Sequence, residues 1–385
     1  MLTGNKGEWS ELYVLISLLA TGRLYQSDMN LNRNENDYYE IVEGYKKERN
    51  YNLSFSRAEG TVSIYKIIGE QNELIETIPI NQLVDLSNTL YNGILAGSGR
   101  SFRINSVEDF LQRIEVVTVK GRSSEKADIK LRIYDHRLAR EEDLGFSIKS
   151  LIGGQSTLFN PGPGTNFIFD VISNNHFDSN SFNRETYSNN SSVSKISNRI
   201  RRLLDDGNRL QFNSVQSDQL WKNLKMIDGN LPEIMAFALY YRYLHRTTAL
   251  IDVVNLLEEN DPLGFYGRGR SEQRFYEYKV TRFLTECAMG MTAENVWMGE
   301  YDRFGGVIVA KHDGDVVVFH IYDFNLLRKY LINNTAFEQA STGEDEERPG
   351  NPKVGRNVKK YYYGWIFEED NGNKKMKINL QIRFR

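Results

Sequence analysis

"LGFSIKSLIGG", residues 144–154, reads as a short apolar strand that ends in Lys149 and turns at Gly153-Gly154. Side chains alternate along a strand, so Ser147 and Lys149 point to one face. Just upstream, "DIKLRIY" at 128–134 alternates apolar and polar residues and reads as a second strand, opened by Asp128. The polar stretch 135–143 between them is of loop length, so the two form a hairpin centred near residue 139. In that hairpin position 128 falls opposite roughly 150, and Asp128 and Lys149 meet at the same end of the sheet. Asp135, the rival acid, falls at the turn end, away from Lys149.

Upstream of this hairpin, residues 7–21 place Trp9, Leu12, Leu15, Ile16, Leu18 and Leu19 at helical spacing, with apolar residues on the remaining faces as well. Such a helix is well buried. Glu8 and Glu11, three apart, share one of its faces. Residues 50–80 alternate and read as strands; helices follow near 81–97 and 106–113, the second with Ser106 as N-cap and Asp109 in its first turn. "TNFIFDVI" at 165–172 is a third strand.

The polar, Asn/Ser-rich stretch 174–192 marks a boundary between a region 1–180 carrying the hairpin and a region 181–385. In the latter, helices are expected near 193–206, 216–226, 231–259 and 271–289. "GGVIVAKHDGDVVVFHIYDF" reads as a second hairpin turning at Asp313-Gly314. Residues 338–357 read as a mobile loop and the last thirty as strands. The fold class is α/β (α+β): a mixed β-sheet flanked by helices, plus a C-terminal α+β region.

At 385 residues the chain is long enough for two domains, and 40 % hydrophobic with 26 % charged residues is ordinary for a globular protein. The single cysteine, Cys287, excludes an internal disulfide framework and argues against a cysteine-based zinc site. It lies in an apolar run and reads as core. No run is long and apolar enough to span a membrane, and Glu8 and Glu11 interrupt the N-terminal apolar run, so a cytoplasmic location is expected. The net charge of −3 argues against a general nucleic-acid coat, yet Arg and Lys gather in short tracts.

Asp128 beside Lys149 suits phosphodiester hydrolysis. That reaction needs an activated water and cover for developing negative charge, which Mg²⁺ supplies when held by one or two carboxylates. A nearby lysine orients the water or stabilises the transition state. The PD-(D/E)xK nuclease core has this layout: an Asp opens one strand and an acid-x-Lys closes the next. Here Ser147 stands at the acid's place. A strand-end Asp and Lys also occur together on ordinary surfaces, so spacing alone does not decide. Glu8 is explained by a favourable place in a helix's first turn. Glu11 lies among apolar residues, where an unpaired carboxylate is costly, and is the candidate for the absent acid.

"TGNKGEWSELYVLISLLATGRLY" (3–25) and "GFSIKSLIGGQSTLFNPGPGTNFIFDV" (145–171) resemble, in order, the two signature blocks of the HpaII-type restriction endonucleases. The resemblance implies a type II restriction enzyme with a PD-(D/E)xK core, Mg²⁺ dependence and a short palindromic target in double-stranded DNA; the family's namesake reads CCGG. It further implies that Asp128 binds metal, that the Ile148 carbonyl completes the protein ligands, that Glu11, with Glu8 in reserve, supplies the second carboxylate, and that Lys149 assists the attacking water. Ser147 is left as a hydrogen-bonding group. A homodimer on the palindrome and a cognate DNA methyltransferase, without a stable complex, are the implied partners.

Ser150, Gln155, Ser156 and Thr157 lie just past the strand, placed to hold phosphates or simply to form a turn. For base reading, Arg pairs with guanine. Arg268, Arg270 and Arg274 in "YGRGRSEQRFYEYK", with glycines that permit close approach, are the first candidates. Arg356 with Lys353, Lys359 and Lys360, and Arg100 with Arg103, form two further tracts; each equally suits a solvated surface. His312 and His320 lack a spaced third ligand. Two other readings stay open: a sequence-specific DNA-binding protein with a decayed nuclease site, and a repair or recombination nuclease with the same core.

Overall fold

A computed structural model describes all residues except 1, 120–126, 174–176, 186–194, 268, 301–303, 339–341 and 345–359. Helix α1 (Lys6–Thr21) leads into β1 (Arg23–Ser27) and the long β2 (Arg33–Lys47), then a meander of β3 (Asn52–Ala58), β4 (Thr61–Ile68) and β5 (Gln71–Pro79). Helices α2 (Ile80–Ala96) and α3 (Asn105–Arg113) precede the hairpin of β6 (Ile129–Asp135) and β7 (Arg140–Ser150). Next come β8 (Thr157–Phe159), β9 (Asn166–Ile172), α4 (Ser179–Glu185), α5 (Lys195–Asp205) and β10 (Arg209–Val215). Four helices follow: α6 (Asp218–Ile227), α7 (Leu231–Leu244), α8 (Leu250–Asn260) and α9 (Phe275–Ala288). The hairpin β11 (Phe304–Ala310) and β12 (Val316–His320) leads to α10 (Phe324–Asn334). The short strands β13 (Thr335–Phe337), β14 (Thr342–Glu344), β15 (Lys360–Tyr362), β16 (Ile366–Glu368), β17 (Lys374–Asn379) and β18 (Ile382–Phe384) end the chain.

Two compact units divide these elements. One holds Met1–Ser156, Ala288–Gly290 and Glu300–Tyr330; the other holds Thr157–Cys287, Met291–Gly299 and Leu331–Arg385. Of the polar stretch 174–192, part forms α4, and residues 174–176 and 186–192 lie outside the described residues.

The first unit is built on one sheet, in the order β1-β12-β11-β7-β6-β2-β3-β4-β5. Strand β1 also pairs with β2, so six strands close into a barrel-like ring and β3–β5 extend from it. The sheet is mixed: β11 runs parallel to β7 and β1 parallel to β12, against antiparallel pairs elsewhere. The closure was not anticipated, because β1 and β2 carry no alternation to announce them; the first four residues of β2 are exposed. Strands β11 and β12 read Phe-Gly-Gly-Val-Ile-Val-Ala and Val-Val-Val-Phe-His and are almost wholly buried, as expected for strands covered on both faces.

Helix α1 is buried on nearly every side, with Trp9, Val14, Ile16 and Leu19 fully enclosed. Each such side chain contributes about 1.5–3 kcal/mol of burial free energy. A capping box opens the helix: Glu8 N–H donates to Asn5 Oδ1 at 3.0 Å and Asn5 N–H to Glu8 Oε2 at 2.9 Å. Gly22, at φ 73°, closes it in the left-handed conformation that glycine tolerates. The helix crosses β2 at Gly44, where a Cβ would stand 2.6 Å from Leu15 Cδ1.

The second unit is α+β, with a four-stranded sheet β10-β9-β17-β16, a three-stranded sheet β13-β18-β8 and the pair β14-β15. Two local expectations are corrected. The helix expected over 231–259 is broken into α7 and α8 around Arg246, which takes a positive φ of 56°. Ser106 lies inside α3, whose N-cap is Ile104 without a side-chain cap bond. The loop expected over 338–357 falls mostly on residues 339–341 and 345–357, outside the described residues.

Candidate active site

The hairpin forms where the alternation placed it, but its register is shifted. Ile129 pairs with Phe146 and Asp135 with Arg140, so position 128 lies opposite Ser147 rather than residue 150. The expected centre near 139 was too late because the turn is short and β7 begins at Arg140. Asp128 is exposed, at the mouth of β6, and its carboxylate bends back onto the partner strand. Its Oδ2 accepts the Ile148 N–H at 2.7 Å, and its own N–H donates to the Phe146 carbonyl at 3.0 Å. Lys149, half-buried, lies one residue beyond this contact and on the Ser147 face. Ser147 itself is only 2 % exposed.

Strand β11 pairs with the far side of β7: Val307 with Ser147, Val309 with Lys149 and Ala310 with Ser150. Ser147 is thus flanked by backbone on both sides. The β11–β12 turn holds Lys311 against Asp313 and Asp315, and Tyr91 donates to the His312 carbonyl at 2.8 Å. These acids are already engaged by a lysine.

Two other acids on the Asp128 face are committed too. By register Lys130, Arg132, Glu43 and Asp143 share that face. Arg132 binds Asp143 through Nε at 3.0 Å and Glu43 through Nη1 at 2.9 Å, while the Tyr45 hydroxyl donates to Glu43 at 2.8 Å. Burial pushes the Asp143 carboxyl up, but its bonds to Arg132 outweigh this and hold it below the usual carboxylate range. Asp135, at the turn end, is 2 % exposed and accepts the Arg137 N–H at 2.8 Å.

The start of α1 is tied to the loop after β7. Lys6 Nζ donates to the Gly153 carbonyl at 2.5 Å, and Gly153 takes a positive φ of 67°. Lys6 was missed in the sequence. The one signal for it is a cation at a helix N-terminus, where the dipole disfavours positive charge. Glu8 and Glu11 lie on this helix; Glu8 serves the capping box, and Glu11 is half-buried one turn on. Among the described residues no group of three or more His, Cys, Asp or Glu is arranged to hold a metal.

Past the strand, Ser150 Oγ accepts the Ile152 N–H at 3.2 Å and so shapes the turn. Gln155 is exposed, Ser156 Oγ is buried without a hydrogen-bond partner among the described residues, and Thr157 pairs with Arg383 in β18. In the second unit Arg270 is exposed and donates through Nη2 to the Glu259 carbonyl at 2.9 Å. Arg274 donates to Asn255 Oδ1 at 2.6 Å and pairs with Glu277. Arg268 and Arg356, with Lys353 and Lys359, lie outside the described residues; Arg100 and Arg103 are exposed. His320 is buried, and burial with Arg137 nearby pushes its imidazole down to about 4, unlike a surface histidine. Its Nδ1 accepts the Tyr322 N–H at 3.2 Å. No helix among the described residues is long and apolar enough to cross a membrane.

The profile of the HpaII restriction endonuclease matches residues 5–384. The type II restriction enzyme HpaII of Haemophilus parainfluenzae is 33 % identical over 383 residues, covering 99 % of this chain and 98 % of that one. No solved structure matches the chain. The molecule is therefore a type II restriction endonuclease, a site-specific deoxyribonuclease acting on DNA. Within that class, the chain belongs to the HpaII restriction endonuclease family.

Proposed function

We propose that this enzyme is a Mg²⁺-dependent, PD-(D/E)xK-like nuclease that cuts both strands of double-stranded DNA at a short palindromic site, with CCGG suggested by the family. The observation that carries the reading is the convergence of Asp128 and Lys149 at one hairpin end, next to a loop to which the first helix is tied. A parallel strand on the far side of the lysine strand and a helix across the sheet accord with such a core.

The donor set fits a small, hard cation. Mg²⁺ keeps waters of its own and takes only one or two protein carboxylates, so Asp128 and Glu11 suffice, with the Ile148 carbonyl and Glu8 as further candidates. When bound, the cation supplies Lewis-acid cover for the phosphate and a more acidic water. Asp128 is oriented for this by the Ile148 N–H, which holds one carboxylate oxygen in place. Lys149 places its ammonium beside the attacked phosphate, where it holds the water and offsets developing charge. Ser150, Gln155, Ser156 and Thr157 fix the phosphates; Ser147 offers a hydrogen bond but no charge. Arg268, Arg270, Arg274 and Arg356 contact DNA, and at least one of the first three reads a guanine. A palindrome is matched by a homodimer, and a methyltransferase protects host sites without a stable complex.

Digestion of a plasmid of known sequence with Mg²⁺ and with EDTA tests this. Discrete fragments that vanish with EDTA are expected. Sequence-specific binding without cleavage would instead support a decayed nuclease site, the reading that the neutral Ser147 favours. Ragged digestion from ends would support a repair or recombination nuclease.

A further inference from the structure

The loop that leaves α8 carries the "GRGR" tract. At its base a dense set of bonds converges on one carboxylate. Asp261 closes α8 at φ 41°, ψ 57°, with its N–H on the Leu257 carbonyl. Its Oδ1 accepts the Phe265 N–H at 2.8 Å and the Tyr276 hydroxyl at 2.8 Å; its Oδ2 accepts the Tyr266 N–H at 2.9 Å. The Tyr276 oxygen in turn accepts the Leu263 N–H at 2.9 Å, and its ring is fully buried.

A second carboxylate clamps the outgoing limb. Glu258 Oε1 accepts the Glu277 N–H at 2.9 Å, and the Tyr266 hydroxyl lies 2.5 Å from Glu258 Oε2 and 2.7 Å from the Gln273 carbonyl. Phe265 packs on Tyr276 and Phe275 with ring centroids 5.0 and 5.8 Å apart. Burial pushes the Asp261 carboxyl up, yet the bonds from Tyr266, Tyr276, Phe265 and Gly264 prevail and hold it below the usual carboxylate range. Beyond this brace the tip is open: a Cβ at Gly269 would meet nothing within 4 Å. Gly269 and Arg270 are exposed.

We propose that Asp261 is a positioning residue for target recognition: it prefolds the loop so that Arg270 and Arg274 meet the DNA already ordered. A loop that orders only on binding loses affinity to the lost backbone and side-chain freedom, whereas a prefolded one does not. That loss falls on the specific complex, because sequence-independent phosphate contacts tolerate loose geometry. The inference rests on the reading that this loop contacts DNA. Asp261 acts through the arginines and touches no reacting atom.

The test uses the full chain and two short duplexes, one containing the cut site mapped with the wild-type enzyme and one scrambled. Asp261→Asn suits it, since Asn tolerates the left-handed backbone but offers only one acceptor oxygen where Asp261 uses two. The preference for target over scrambled DNA, measured without Mg²⁺, should fall by about tenfold or more, the size of a lost base contact. Affinity for scrambled DNA should stay within about twofold, since phosphate contacts carry it. With Mg²⁺, KM for the target should rise while kcat is retained. Tyr266→Phe, which removes the hydroxyl between Glu258 and Gln273, should shift the same ratio in the same direction, and it serves if the Asp261 variant does not fold. An unchanged preference, or a parallel fall in target binding, scrambled binding and kcat, overturns the inference. A wild-type enzyme without any preferred sequence overturns the parent reading and this inference with it.

Discussion

The Asp128 carboxylate is bound to the Ile148 N–H at 2.7 Å, across the open end of β6 and β7. This bond ties the acid to the residue next to Lys149 and makes the strand end a candidate for metal-assisted hydrolysis. Removing the carboxylate as Asp128→Ala should abolish cleavage at any Mg²⁺ concentration up to tens of millimolar. Asp135→Ala should still cut, though with reduced stability, since the buried Asp135 accepts the Arg137 N–H. Plasmid cleavage titrated with Mg²⁺ separates the two, and the reverse pattern would show that the wrong acid was chosen.

Lys149→Ala should lose cleavage while binding the target nearly as tightly as the wild type. The ammonium's role is in the transition state, and an interaction made only there lowers kcat without weakening ground-state binding. Gel shift without metal, alongside single-turnover cleavage, measures both. Near-normal cleavage would remove Lys149 from the site.

Glu8 and Glu11 should part company. Glu8→Gln alters the capping box with Asn5 and should cost about 1 kcal/mol or less, with cleavage retained. Glu11→Gln should fold normally and lose cleavage by orders of magnitude, and Ser147→Glu on that background should restore part of it. Urea unfolding and cleavage rates on both variants decide. A fully active Glu11→Gln enzyme refutes the assignment of the second carboxylate.

Stability should fall with acid through His320. Burial holds its imidazole at about 4, whereas the unfolded chain takes up that proton near the ordinary value of about 6.5. Between those values the unfolded state binds more protons, so stability is intact above pH ~6.5 and drains away as the pH drops toward ~4. The loss is at most about 3 kcal/mol. Urea midpoints across this range should slope less for His320→Gln than for the wild type. Equal slopes would assign the acid sensitivity to other groups.

Much of the site is local and therefore legible. Asp128, the alternation of "DIKLRIY", the strand ending at Lys149 and the buried first helix follow from periods of two and about 3.6, which nearest neighbours along the chain enforce. The two signature blocks that pointed to the family are local in the same sense. The register was less so: a hairpin's centre depends on turn geometry, and the early start of β7 at Arg140 moved Asp128 from opposite 150 to opposite Ser147. In the sequence Glu8 reads only as a first-turn acid; its reciprocal bonds with Asn5 show that it closes a capping box.

The sequence alone determined the hairpin, the acid and lysine at its end, and membership in a nuclease family. Tertiary structure decided what stands beside them. Strand β11 comes from far downstream, in the region assigned to another domain, yet Val309 pairs with Lys149. Strands β1 and β2 close the ring although their patterns are silent, and Lys6 reaches Gly153 from a distant part of the chain. Such pairings are chosen by which strand edges remain unpaired and which apolar faces remain uncovered once the local elements exist. That is a property of the assembled sheet, and no window of the sequence contains it.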